Sequence, residues 1–152
     1  AHFHCVATTI GDANRQLQAA GVAGDALELI ADFRLADGDQ VGVRVRMGKD
    51  EETVIGYDAA AQELFVDRTR SGAVDFSPHF PGRHASALAA DEGRVRLHVL
   101  VDRCSVEVFG GSGHAVLTDL IFPAPTSLGV EVFGTGRPPF IERLEVWQLK
   151  TK

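Results

Sequence analysis

Residues 94–109 read RVRLHVLVDRCSVEVF, and the fold follows from them. Val95, Leu97, Val99 and Val101 alternate with Arg96, His98 and Leu100, the period-two pattern of a strand with one buried face. The segment DRCS interrupts, then Val106 and Val108 resume the alternation, so the stretch reads as a β-hairpin. With Arg103 and Cys104 as a two-residue loop, Asp102 pairs with Ser105, Val101 with Val106, Leu100 with Glu107 and His98 with Phe109. The valines then share the buried face. Asp102, Leu100, His98, Ser105, Glu107 and Phe109 project from the other. Arg and Cys are poor at the positive φ angles of the usual hairpin turns, and a one-residue bulge would shift this register.

The same period recurs on both sides of the hairpin. Leu27, Leu29, Ala31, Phe33 and Leu35 alternate, the turn DGDQ follows at 37–40, and Val41, Val43 and Val45 continue. Shorter candidates lie at Thr53–Asp58 and Glu63–Arg68, and the Gly- and Pro-containing stretch from Ser71 to His84 reads as the longest loop. His114–Phe122, Leu128–Phe133 and Phe140–Leu149 are β-rich between the clusters GGSG, PAP and GTGRPP. Residues 11–26, GDANRQLQAAGVAGDA, hold no sustained helical period and read as loop with a short turn of helix. About nine short strands with frequent turn signals predict an all-β domain, a two-sheet antiparallel β-sandwich of concanavalin-like or jelly-roll type. Residues 1–24 are set apart as an N-terminal tail, linker or first strand, and 25–152 as the sandwich.

Composition narrows the function classes. The chain has 152 residues and a formal net charge of −6, with Lys and Arg scattered along it, so no basic stripe is available for nucleic acid. No apolar run approaches the ~18 residues of a membrane span. A chain of this size buries roughly 70% of its unfolded surface, so the core needs no metal, disulfide or cofactor. Cys5 and Cys104 read as two free thiols rather than a bridge. His2 and His4, at i and i+2, read as a flexible tail rather than half a metal site, and the other histidines lack ligand spacing. Ser71 and Ser105 have no readable His–Asp partner, and the GGSG segment is a hairpin turn rather than a phosphate loop. Trp147 reads as a core or interface residue. The start at Ala1 has no basic region followed by an apolar stretch, which reads as a mature product or a piece of a longer polypeptide.

The segment VDRCSVEVFGGSGHAVLTDLIFP, residues 101–123, resembles the C-terminal β-sandwich of glycoside hydrolase family 32, the family of levanases, inulinases and invertases. There a D-R-S-S-V-E-V-F run precedes a T-x-x-I-F-P-like run; here Cys104 replaces the first serine. VGVRVRMG at 41–48, VIGYD at 54–58 and ELFVDRTRSG at 63–72 look like successive strands of the same sandwich in the same order, so the resemblance covers about Asp25 to Lys150. It implies that catalysis belongs to a separate five-bladed propeller, whose W-M-N-D-P-N-G, R-D-P and E-C motifs do not occur here. The implied partners are a fructan or fructose and the catalytic propeller of the same polypeptide, and the implied location is extracellular.

Two functions follow as expectations. One is non-catalytic binding of fructose ends of levan or inulin. Carboxylates accept paired hydrogen bonds from vicinal hydroxyls and Arg donates from a rigid fork. Glu107, Asp102, Arg103, Asp67 and Arg68 are the candidates, the two Asp-Arg dipeptides each ending a strand and converging with Glu107 on one cleft, with Tyr57 at its edge. The alternative is that each dipeptide locks its own turn by a salt bridge. Asp102 and Glu107 as a glycosidase pair find no support beyond sharing a face. The second function is structural, a sandwich that braces the propeller without binding sugar; an exposed apolar patch would favour it.

Overall fold

A computed structural model describes residues 2–35, 39–135 and 140–149. The hairpin has the register that its alternation predicts: Asp102 opposite Ser105, Val101 opposite Val106, Leu100 opposite Glu107 and His98 opposite Phe109. Arg103 does occupy the left-handed region, at φ 33°. Its amide donates to the Asp25 carbonyl at 2.7 Å, which holds the turn against the strain.

Eleven strands and one helix are described: β1 (His2–Thr9), α1 (Ile10–Ala19), β2 (Ala26–Arg34), β3 (Gln40–Met47), β4 (Thr53–Asp58), β5 (Glu63–Asp67), β6 (Arg83–Ala87), β7 (Arg94–Asp102), β8 (Ser105–Gly110), β9 (Ala115–Leu120), β10 (Gly129–Gly134) and β11 (Phe140–Gln148). They form a six-stranded sheet ordered β1-β11-β2-β7-β8-β9 and a five-stranded sheet ordered β10-β3-β4-β5-β6, antiparallel throughout. The predicted antiparallel β-sandwich is the fold. Its core lies between the inner faces, where Leu27, Leu29, Phe33, Val99 and Val108 of one sheet meet Val43, Ile55, Tyr57, Leu64 and Val66 of the other.

Two expectations are corrected at the N-terminus. His2 and His4 are not in a flexible tail but in β1, hydrogen-bonded along β11, with the His2 ring stacked on Trp147 at 4.9 Å and its Nε2 3.0 Å from Glu145 Oε2. Residues 10–19 are a helix rather than loop. Its apolar stripe is Ile10, Ala13 and Leu17, three positions over two turns and too short for a sustained period. Local chemistry compensates: Thr9 caps the N-terminus by accepting from the Asp12 amide at 3.2 Å, and Gly21 at φ 67° ends the element. The Asn14 amide then grips the edge of β10, donating to the Val132 carbonyl and accepting from its amide, both at 2.8 Å.

The extra strands relative to the expected nine are β1 and β6, the latter polar and exposed at a sheet edge. The turn segments at 37–40 and 134–139 lie partly outside the described residues.

Candidate functional site

Alternation along β8 sends Val106 and Val108 inward and leaves Glu107 on the outer face of the six-stranded sheet, between Leu100 of β7 and Thr118 of β9. The carboxylate is half-buried and makes no hydrogen bond or ion pair with another described residue. One row along the sheet lie His98, whose Nε2 is 2.9 Å from Glu28 Oε2, and the Phe109 ring, 5.9 Å from the His98 ring. This face therefore offers an uncommitted carboxylate between Leu100 and Thr118, beside the His98–Glu28 pair and the Phe109 ring.

Asp102 is exposed at the hairpin end, and Arg103 is held in place by structure around it. Its side chain lies 3.8 Å from Asp25, and its carbonyl accepts from Arg46. Arg46 is buried, at φ 48° where the pairing of β3 with β10 shifts, and also donates to the Ser127 carbonyl at 2.7 Å and the Ala124 carbonyl at 3.0 Å. Burial lowers its pKa, opposed by the charges of Asp25 and Glu51. Sequence reading missed it because strict alternation sends it to solvent; the bulge turns it inward.

The other predicted residues do not join Glu107. Asp67 lies on the outer face of the five-stranded sheet, and the outer faces of a sandwich point in opposite directions, so one cleft cannot hold both. Its Oδ1 accepts from the Thr69 amide at 2.9 Å and shapes its own turn. Tyr57 is fully buried in the core, with its hydroxyl donating to the Leu88 carbonyl at 2.6 Å, and so edges no sugar site. The isolated Asp–Arg salt bridge is not what forms either: the arginines pair across the molecule, Arg103 with Asp25 and Arg68 with Asp119.

Arg68 sits at the seam where β9 of one sheet approaches β5 and β6 of the other. Its Nε donates to the Phe80 carbonyl at 2.8 Å, its Nη1 to the Leu120 carbonyl at 3.1 Å, and the guanidinium carbon lies over the Phe80 ring, 3.8 Å from its centroid. Asp119 is buried beside it, with Oδ1 2.7 Å from His84 Nδ1 and Oδ2 unpartnered. Asp119 was readable: Ala115 and Leu117 put it at an inward position of LTDLIFP, where a carboxylate needs partners. Around this seam Phe76, Phe80 and Phe122 cluster, each ring 4.7–5.6 Å from the other two.

The whole arrangement matches a known domain. Residues 4–148 match the family described as glycosyl hydrolases family 32 C terminal. The levanase of Bacillus subtilis (strain 168) is 40% identical over 134 residues, which are 86% of this chain and 20% of the levanase. An extracellular exo-inulinase of Aspergillus niger is 42% identical over 97 residues, 63% of this chain and 18% of that protein. The crystal structure of an exo-inulinase from Aspergillus awamori superposes over 97% of this chain and 27% of its own, with TM-score 0.78 and 29% identity. This chain thus spans about a fifth of the length of the levanase that it matches. The DRCSVEVF hairpin, the two-sheet architecture and these likenesses agree: the chain belongs to the family of C-terminal domains of family 32 glycosyl hydrolases.

Proposed function

We propose that the chain is the non-catalytic accessory sandwich of a secreted fructan hydrolase, packed on the catalytic domain of its own polypeptide through an apolar strip along β9. The observation that carries this reading is the strip itself. Val116, Leu120, Phe122 and Phe76 are 47, 55, 41 and 64% exposed, and the last two belong to the aromatic cluster over Arg68. Val116 and Leu120 flank Thr118 on one face, and large exposed apolar groups at neighbouring positions mark a surface that is covered in the assembled protein. The proposed occupant is supported by the length of the levanase outside the matched segment and by the absence of the propeller's catalytic motifs from this sequence. Secretion is supported by the extracellular exo-inulinases among the relatives. Glu107, beside Thr118 at the margin of the strip, would accept from a donor on the covering domain.

The test is Leu120→Ser combined with Phe122→Ser in the polypeptide carrying both domains. Its unfolding midpoint falls by about 4 °C more than that of the isolated chain carrying the same two changes. A two-domain protein indifferent to both changes would sink the docking reading. The second reading is fructose recognition on the Glu107 face, with Asp102 and Arg103 at its end; Asp67 and Arg68 would serve a separate surface. The uncommitted Glu107 carboxylate favours it. Titration calorimetry with levan, inulin and fructose checks it, and saturable heat abolished by Glu107→Ala is the outcome that this reading requires.

A further inference from the structure

A cleft of about 670 Å³ opens at the far end of β7–β9 from Leu120, between the segment that joins β6 to β7 and the turn that joins β8 to β9. That volume falls within the range of about 300–1,000 Å³ typical of small-molecule sites. Its polar groups are fixed before any ligand arrives. Asp32 accepts from Arg96 Nε at 2.6 Å and from Nη2 at 2.9 Å, which pushes the Arg96 pKa up and leaves Nη1 hydrogens uncommitted. Glu142 is the extra residue of the bulge in β11, and its Oε1 accepts from both Arg94 Nε at 2.9 Å and Arg34 Nε at 3.1 Å. Asp91 and Arg94 flank the two-residue turn Glu92-Gly93, at φ 51° and 74°, whose ends exchange backbone hydrogen bonds of 2.9 and 3.0 Å. His114 faces them, with neither ring nitrogen engaged by another described residue. Leu88 and its alanine neighbours Ala87 and Ala89 supply an apolar wall.

The charges largely compensate: in the lining the carboxylates of Asp32, Asp91 and Glu142 stand against the guanidiniums of Arg94 and Arg96, and Arg34, outside the lining, is a second partner of Glu142. An anion would meet the carboxylates and a cation the guanidiniums. A neutral ligand with many hydroxyls satisfies both, and its C–H faces fit the Leu88 wall. We propose that this cleft binds a neutral polyhydroxylated ligand of about one or two sugar rings, hydrogen-bonded by Asp91, Arg94, Arg96 and His114. The inference is independent of the docking reading, since Leu120 and Phe122 take no part in the cleft.

The test is a heteronuclear NMR titration of the chain with fructose and short fructo-oligosaccharides, with inorganic phosphate as a second arm. Saturable shifts centred on the amides of Ala89, Arg94 and His114 are expected. Asp91→Ala combined with Arg94→Ala, both at exposed positions and so neutral for folding, weakens binding more than about tenfold. No saturable shift at tens of millimolar sugar would overturn the site, as would shifts centred on Glu107 and Thr118 instead. Tighter binding of phosphate than of sugar would overturn the ligand class.

Discussion

At the scale of single residues, burial decides what each side chain is free to do. Cys5 and Cys104 are both free thiols, yet Cys5 is buried in β1 and Cys104 is exposed in the hairpin turn. Burial raises the Cys5 pKa, and burial likewise pushes the Tyr57 hydroxyl up. For both, the folded value lies above the unfolded one. The stability that these neutral groups contribute is therefore complete below the ordinary ranges of about 8.5 for Cys and about 10 for Tyr. It is lost as pH rises through the folded values. Urea midpoints measured from pH 7 to pH 11 should fall on the alkaline side, and Cys5→Val with Tyr57→Phe should flatten that slope. A thiol reagent at pH 8 should label Cys104 alone until urea unfolds the chain; equal labelling of Cys5 under native conditions would contradict this account.

At the scale of elements, alternation and its exceptions carry different information. On the outer face of the five-stranded sheet, Phe133, Gly42, Gly56 and Phe65 form one cross-strand row. The Phe65 ring lies over Gly56, where a Cβ would fall 2.8 Å from it and 2.7 Å from the Val41 carbonyl oxygen, while a Cβ on Gly42 would fall 2.1 Å from the Ile55 carbonyl oxygen. Arg83 then covers Phe65 at 4.2 Å and Arg44 covers Phe133 at 4.7 Å, so an outward ring becomes buried. Gly56→Val should cost about 3 kcal/mol or more in chemical denaturation by overpacking this row; a variant as stable as the parent would show that the rings are not held there. The β7–β8 hairpin was legible to the residue because its period is unbroken. The helix at Ile10–Ala19 was not, because a stripe of only Ile10, Ala13 and Leu17 and a cap hold it. Likewise β6 has exposed, polar positions at a sheet edge, so no buried face writes a pattern into its sequence. Glu107 was read correctly onto the outer face of its sheet. Its expected convergence with Asp67 failed because alternation assigns a face within a sheet and says nothing about which sheet a strand joins.

At the scale of the whole molecule, the long-range question is what closes the sandwich along the side where β9 meets β5 and β6. Hydrogen-bond ladders run within each sheet, so this side depends on packing and on the cluster of Asp119, His84 and Arg68. Asp119 is the hub, since it belongs to the six-stranded sheet and its partners come from β6 and the residue after β5 in the other. Arg68 then extends the cluster outward, tying the Phe80 loop and the end of β9 together by their carbonyls and setting the aromatic platform from which Phe76 and Phe122 project. The seam and the proposed docking strip are therefore mechanically one unit. Removing the hub leaves a mostly buried guanidinium without its carboxylate, so Asp119→Ala should cost about 3 kcal/mol by urea unfolding. Arg68→Ala should cost a comparable amount while also leaving the Leu120 and Phe80 carbonyls without their donor. His84→Ala removes the 2.7 Å contact to the buried Asp119 carboxylate and should cost about 1–3 kcal/mol even though its own ring is half-exposed. Because Asp119 and Arg68 share one interaction, their double variant should cost clearly less than the sum of the two single changes. Strict additivity would mean that the two halves of the sandwich are joined by packing alone and that the strip does not depend on the seam beneath it.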